Sequence, residues 1–105
     1  MGAMRRYIPL VVALGALLGG SKRQAIACSA LLIESSPEAL RAEAARRQAE
    51  GFAALKLKVG LGDSVDLARL SAVREATQGR CALRIDANGA WGVEDALRHL
   101  DRLGP

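Results

Sequence analysis

From Ser29 onward the apolar and polar positions fall into a pattern that occurs three times. "SALLIESSPEAL" (29–40), "AALKLKVGLGDSVDLARL" (53–70) and "CALRIDANGAWGVEDAL" (81–97) each read as a short strand, a polar or glycine-containing turn, and a helix. In "FAALKLKVG" (52–60) strict alternation puts Leu55 and Leu57 on one strand face and Lys56 and Lys58 on the other. Taken alone, the two lysines fit an edge strand, where charge discourages pairing with another chain. The helices carry their own punctuation. Ser36 followed by Pro37 makes a helix start, Asp63 or Ser64 is expected to cap the second helix, and Gly51, Gly79 and Gly104 stand where helices end. In the third unit Val93, Ala96, Leu97, Leu100 and Leu103 recur at three and four as an apolar stripe, with His99 off it and expected to face solvent.

Strand, helix and strand at a period of 24 to 28 residues imply parallel strands joined by right-handed crossovers. An open doubly wound sheet and a closed barrel both meet that description. "GLGDSV" lacks the third glycine of a dinucleotide-binding turn, which favours the barrel. The expected fold is therefore α/β, a partial (β/α) barrel made of its first three strand-helix units, since a complete barrel takes about 250 residues. Residues 1–20 are read as a helix and linker belonging to a neighbouring domain, buried against it and ended by Gly19-Gly20. Residues 21–105 are the incomplete barrel.

Composition narrows the function. The 105 residues are 50% hydrophobic and 25% charged, which describes a globular chain and not a disordered one. A net charge of +4 comes with only Tyr7, Phe52 and Trp91 as aromatics, too few for a base-stacking platform, so no nucleic-acid partner is expected. Most of the arginines fall on what read as solvated helix faces. Cys28 and Cys81 lack metal-type spacing and are expected to be reduced, buried side chains at strands of a cytoplasmic protein. "MRRYIPLVVALGALLGG" imitates a secretory leader, but "SKRQ" follows it with charge and the apolar run is too short to span a bilayer. No membrane partner is expected.

The candidate chemistry comes from aligning the repeats. Matching Ala54 with Ala82 sets Lys56 opposite Arg84 and Lys58 opposite Asp86. The last pair lies on one rung at the C-terminal ends of consecutive strands, the end where barrel enzymes keep their chemistry. A lysine among apolar walls and other cations gives up its proton more readily. A neutral amine can then take a proton from carbon, provided that the resulting charge is held, as a divalent ion on carboxylates would do. Asp86 suits magnesium as a hard oxygen ligand. "DANG" is also a respectable turn, in which Asp86 would have a purely local role.

"ALKLKVG" followed at this distance by "LRIDANGAW" resembles the enolase superfamily, in its muconate-lactonizing and mandelate racemase branch, and "IPLVVALGALLGGSKRQAIACSALL" resembles the passage there from the capping domain into the first barrel strand. The resemblance implies a barrel of seven strand-helix units plus a final strand, closed over by a capping domain. It implies that Lys58 is the acid/base lysine at the carbon next to a carboxylate. Lys56 is its partner, which makes that amine easier to deprotonate and contacts the substrate carboxylate. Asp86 is the first of three Mg2+ ligands, and Asn88 is a polar group near the substrate. Trp91 either lines the pocket mouth or packs at the rim. The resemblance is strongest to o-succinylbenzoate synthases, which dehydrate a carboxylate substrate through an enediolate in the menaquinone pathway; dipeptide epimerases, muconate cycloisomerases and N-acylamino acid racemases share the motifs. The family's remaining carboxylates come from its fourth and fifth strands, and usually a further lysine from its sixth. These 105 residues alone are thus expected to lack turnover and to self-associate or pair with the rest of the barrel. A non-catalytic, self-associating α/β remnant is the reading of another class.

Overall fold

The computed structural model of the chain describes residues 2–23 and 25–103. After helix α1 (Gly2–Leu17), three strand-helix units follow in order: β1 (Ser29–Leu32) with α2 (Pro37–Ala49), β2 (Ala54–Lys58) with α3 (Asp63–Thr77), and β3 (Ala82–Asp86) with α4 (Val93–Leu103). The three strands form one parallel sheet in the order β1-β2-β3, the succession that a barrel wall requires. Pairing runs Ser29 with Ala54 through Leu32 with Leu57, and Ala54 with Ala82 through Lys58 with Asp86. The register deduced from the repeats is the observed one.

Alternation along the strands separates the two faces of the sheet. Ala30, Leu32, Leu55 and Leu57 turn toward α2 and α3 and join Leu40, Ala44, Val59, Leu70 and Val73 in one core, with Leu83 and Ile85 packed against it. Leu40, Leu55 and Leu57 are fully buried, each contributing about 1.5–3 kcal/mol by leaving water. The other face carries Leu31, Lys56, Lys58, Arg84 and Asp86. Parallel sheets are ordinarily covered on both faces; here Leu31 is 42% exposed and Lys58 is open to solvent.

Helix α2 starts as its sequence dictates, with Ser36 Oγ accepting the Ala39 N–H at 3.2 Å and Pro37 in the first turn. Helix α3 does not: Gly62, at φ +123°, is its cap, and Asp63 is already the first helical residue. With no side-chain cap there, the Asp63 carboxylate is free to reach α4 instead. At the other end Gln78 and Gly79 turn left-handed, and Gly51 does the same after α2. Gly104 lies outside the described residues.

The expectation for α4 is reversed. Val93, Leu97 and Leu100 are 79%, 64% and 60% exposed, whereas His99 is only 8% exposed. Its ring stacks on Trp91 at 4.4 Å between centroids, and Nε2 lies 3.2 Å from Asp63 Oδ1. Imidazole has an aromatic body and a polar tip, so it can fill the joint between α3 and α4 that Leu103 continues. Leu100 and Leu103 border an open groove with Leu70, Leu83 and Ile85, while Val93 and Leu97 remain exposed.

Helix α1 ends at Gly19 and Gly20 as expected, both left-handed, with the Gly20 N–H bonded to the Gly15 carbonyl at 2.8 Å. Within these residues its Leu10, Val11, Val12, Leu14 and Leu17 are more than half exposed. The radius of gyration, 18.3 Å against about 13 Å for a compact domain of this length, is that of a three-unit body with a helix projecting from it. Among the described residues no helix is long and apolar enough to cross a membrane. Cys28 and Cys81 are unpaired, but neither is in a strand; Cys28 is exposed and Cys81 half-buried, just ahead of β1 and β3.

Candidate active site

The open sheet face ends in a rim made by the last residues of β2 and β3. Lys56 and Lys58 project from the same side of β2 because Leu55 and Leu57 are drawn into the core on the other. Asp86 is the final residue of β3 and pairs in register with Lys58, and the Val59 N–H continues the ladder to the Asp86 carbonyl at 2.9 Å. Asp86 Oδ2 meets Lys56 Nζ at 2.7 Å, and Oδ1 accepts the Asn88 N–H at 2.9 Å. Amine and acid from neighbouring repeats therefore converge, and the direct contact is made by Lys56, diagonal to Asp86, while Lys58 stands opposite on the rung. Among the described residues no carboxylate lies within ion-pair distance of Lys58.

Asp86 has both roles that its sequence allowed. It closes the turn through Asn88, which adopts φ +48°, and it faces the lysines. The Lys56 hydrogen bond, and after it the Asn88 amide, hold the Asp86 carboxyl below the usual carboxylate range, against a smaller opposing effect of desolvation and with the Lys56 and Lys58 charges adding to the fall. Asn88 is exposed at the rim, and its main chain does the work seen here. Trp91 packs on the core beneath the rim and stacks on His99.

As a metal site the rim is incomplete. Asp86 offers a hard oxygen, but the described residues contain no group of three histidines, cysteines or carboxylates able to hold an ion, and magnesium takes six oxygens in strict geometry. These residues supply one donor and not a Mg2+ centre.

Three charged residues behind the rim escaped the sequence reading. Glu43, Asp66 and Arg69 are 3%, 3% and 5% exposed. A signal for them existed: Asp66 and Arg69 lie on the helical stripe of the buried Leu70, Val73 and Thr77, and Glu43 on that of Leu40 and Ala44. Charges on a core-facing stripe are held there by specific partners.

Residues 39–105 match the enolase C-terminal domain-like family, and the chain belongs to that family. Over 83% of its length it is 40% identical to a hydrophobic dipeptide epimerase of Enterococcus faecalis, and over 86% it is 37% identical to a D-Ala-D/L-Ala epimerase of Cytophaga hutchinsonii, covering 24% of each. The crystal structure of a dipeptide epimerase from Enterococcus faecalis V583 superimposes with a TM-score of 0.79 at 38% identity, over 86% of this chain and 26% of that one. That of a Cytophaga hutchinsonii dipeptide epimerase, complexed with Mg and the dipeptide D-Ala-L-Val, does so with a TM-score of 0.76 at 37% identity, over 86% and 24%. The chain thus spans about a quarter of the length of the curated relatives it matches. Other relatives are an N-succinyl-L-Arg/Lys racemase of Bacillus cereus and a D-galactarolactone cycloisomerase of Agrobacterium fabrum. The partial-barrel expectation agrees with these neighbours, and the enzymes named are epimerases, a racemase and a cycloisomerase.

Proposed function

We propose that this chain carries the second- and third-strand part of the active site of an epimerase that removes and returns a proton at the carbon next to a carboxylate, with a dipeptide as the preferred substrate class. The observation that carries the proposal is the convergence of Lys56 and Lys58 with Asp86 on one sheet face at the C-terminal rim. Lys58, opposite Asp86 and without a carboxylate partner among the described residues, is the acid/base group. Lys56 is tied to Asp86 and offers the cationic surface for the substrate carboxylate, and Asn88 borders the same rim. Magnesium, held by Asp86 together with carboxylates beyond these residues, would supply positive charge to the substrate carboxylate as its neighbouring carbon loses a proton. The dehydration of an o-succinylbenzoate synthase begins with the same proton removal; the dipeptide epimerases among the relatives draw the proposal to epimerisation.

The test is proton exchange in D2O. The full protein bearing these residues, with Mg2+ and hydrophobic or alanyl dipeptides, should incorporate deuterium at the α-carbon as read by 1H NMR. Lys58→Ala should slow that exchange by about 10²–10⁴-fold while leaving the circular dichroism spectrum unchanged. Undiminished exchange in the variant would overturn the role given to Lys58. A protein that exchanges no dipeptide but dehydrates a cyclohexadiene carboxylate would move the assignment to the synthase.

A further inference from the structure

The charged residues beneath the rim form a connected frame. Glu43 Oε2 of α2 accepts the N–H groups of Ile33 and Glu34, just past β1, at 3.0 and 3.1 Å. Asp66 Oδ2 of α3 accepts those of Gly60 and Leu61, just past β2, at 2.8 and 3.2 Å. Arg69 joins the two turns: Nη1 donates to the Lys58 carbonyl at 2.8 Å, Nη2 reaches the Glu34 carbonyl at 3.5 Å, and Nη1 stands 3.8 Å from Asp66 Oδ1.

Such a cluster is costly to bury, since each charge leaves water and repays that only through good geometry. What the geometry achieves is specific. Where a parallel strand ends, its last carbonyls and the first amides of the turn lose their ladder partners and still require hydrogen bonds. Backbone amides are met by carboxylates and carbonyls by a guanidinium, whose planar fork can span two acceptors where an ammonium offers only a point charge. One of the two carbonyls belongs to Lys58 itself. We infer that Arg69 is a positioning residue: by holding the Lys58 main chain, with Asp66 bracing the following turn, it fixes the strand end from which the Lys58 amine is aimed. The catalytic consequence rests on the function proposed above, while the geometric one does not.

Two measurements on the full protein separate them. Arg69→Met removes the donor, Arg69→Lys keeps a cationic donor for the Lys58 carbonyl, and exposed Arg41→Met on α2 serves as control. In amide hydrogen exchange, Arg69→Met should accelerate Val59, Gly60 and Leu61 about tenfold or more while Leu55 and Leu57 stay protected. Unchanged exchange at the turn overturns the inference whatever the activity. For α-proton exchange, kcat per folded molecule should fall about tenfold to a hundredfold with KM within about twofold, as expected of misplacement near 1 Å, and Arg69→Lys should recover part of the loss. A kcat that matches wild type once folded protein is counted assigns Arg69 to stability alone and also overturns the inference. A wild-type protein without α-proton exchange refutes the proposed function and leaves amide exchange to decide the positioning claim. If Arg69→Met does not fold, the same two readings on Arg69→Lys and Asp66→Asn decide it.

Discussion

Asp86 shows how a single carboxylate can serve the fold and the rim together. Its folded value is held below the unfolded one, about 3.9 for an ordinary aspartate, by the Lys56 hydrogen bond and the Asn88 amide. The stabilisation from this pairing is therefore present above that range and is lost as pH falls through the lower, folded value. A 13C titration of the Asp86 carboxyl should place its midpoint below that of a free aspartate, and Lys56→Met should move it upward; a midpoint indifferent to the substitution contradicts the pairing. Gly60 is constrained by shape. At φ +102° an added Cβ would lie 2.6 Å from the Ala90 Cβ and 3.4 Å from the Ala87 carbonyl, so Gly60→Ala should lose about 1–3 kcal/mol in thermal unfolding. Gly89→Ala, left-handed at φ +75° but with nothing within 4 Å of the new atom, should lose less.

Among the elements, strands β2 and β3 were legible residue by residue, because their period of two has only two faces to choose between and Leu55 and Leu57 leave no doubt which is buried. The helices were legible as segments and less so as faces. For α4 the apolar stripe is real, but a stripe states what a helix can bury and not what is beside it; the joint with α3 is filled by His99 and Leu103. In α3 the stripe that includes Asp66 and Arg69 was there to be seen, but a reading in which charge means solvent passes over it, since their burial depends on backbone groups at the ends of two strands. Denaturant unfolding distinguishes the faces. Leu57→Ala should cost about 2–5 kcal/mol, whereas Leu97→Ser on the open side of α4 should remain within about 0.5 kcal/mol of wild type.

For the molecule as a whole, repeat spacing disclosed the parallel order and even the register, whereas no metal centre could be read because the described residues bring no three ligating side chains together. Leu31 and Ile33 on the uncovered sheet side and Val93, Leu97 and Leu100 on α4 are exposed together with the edges of β1 and β3. Residues 1–105 alone should accordingly sediment faster as concentration rises, with Leu97→Lys plus Leu100→Lys reducing the effect; a concentration-independent monomer would refute this. The pairing of Lys58 with Asp86 has a consequence for how such a gene can vary. Losing one codon between 82 and 85 would send the acid toward the helices and bring an apolar neighbour to the rim, so this stretch can drift by replacement and hardly at all by changes in length.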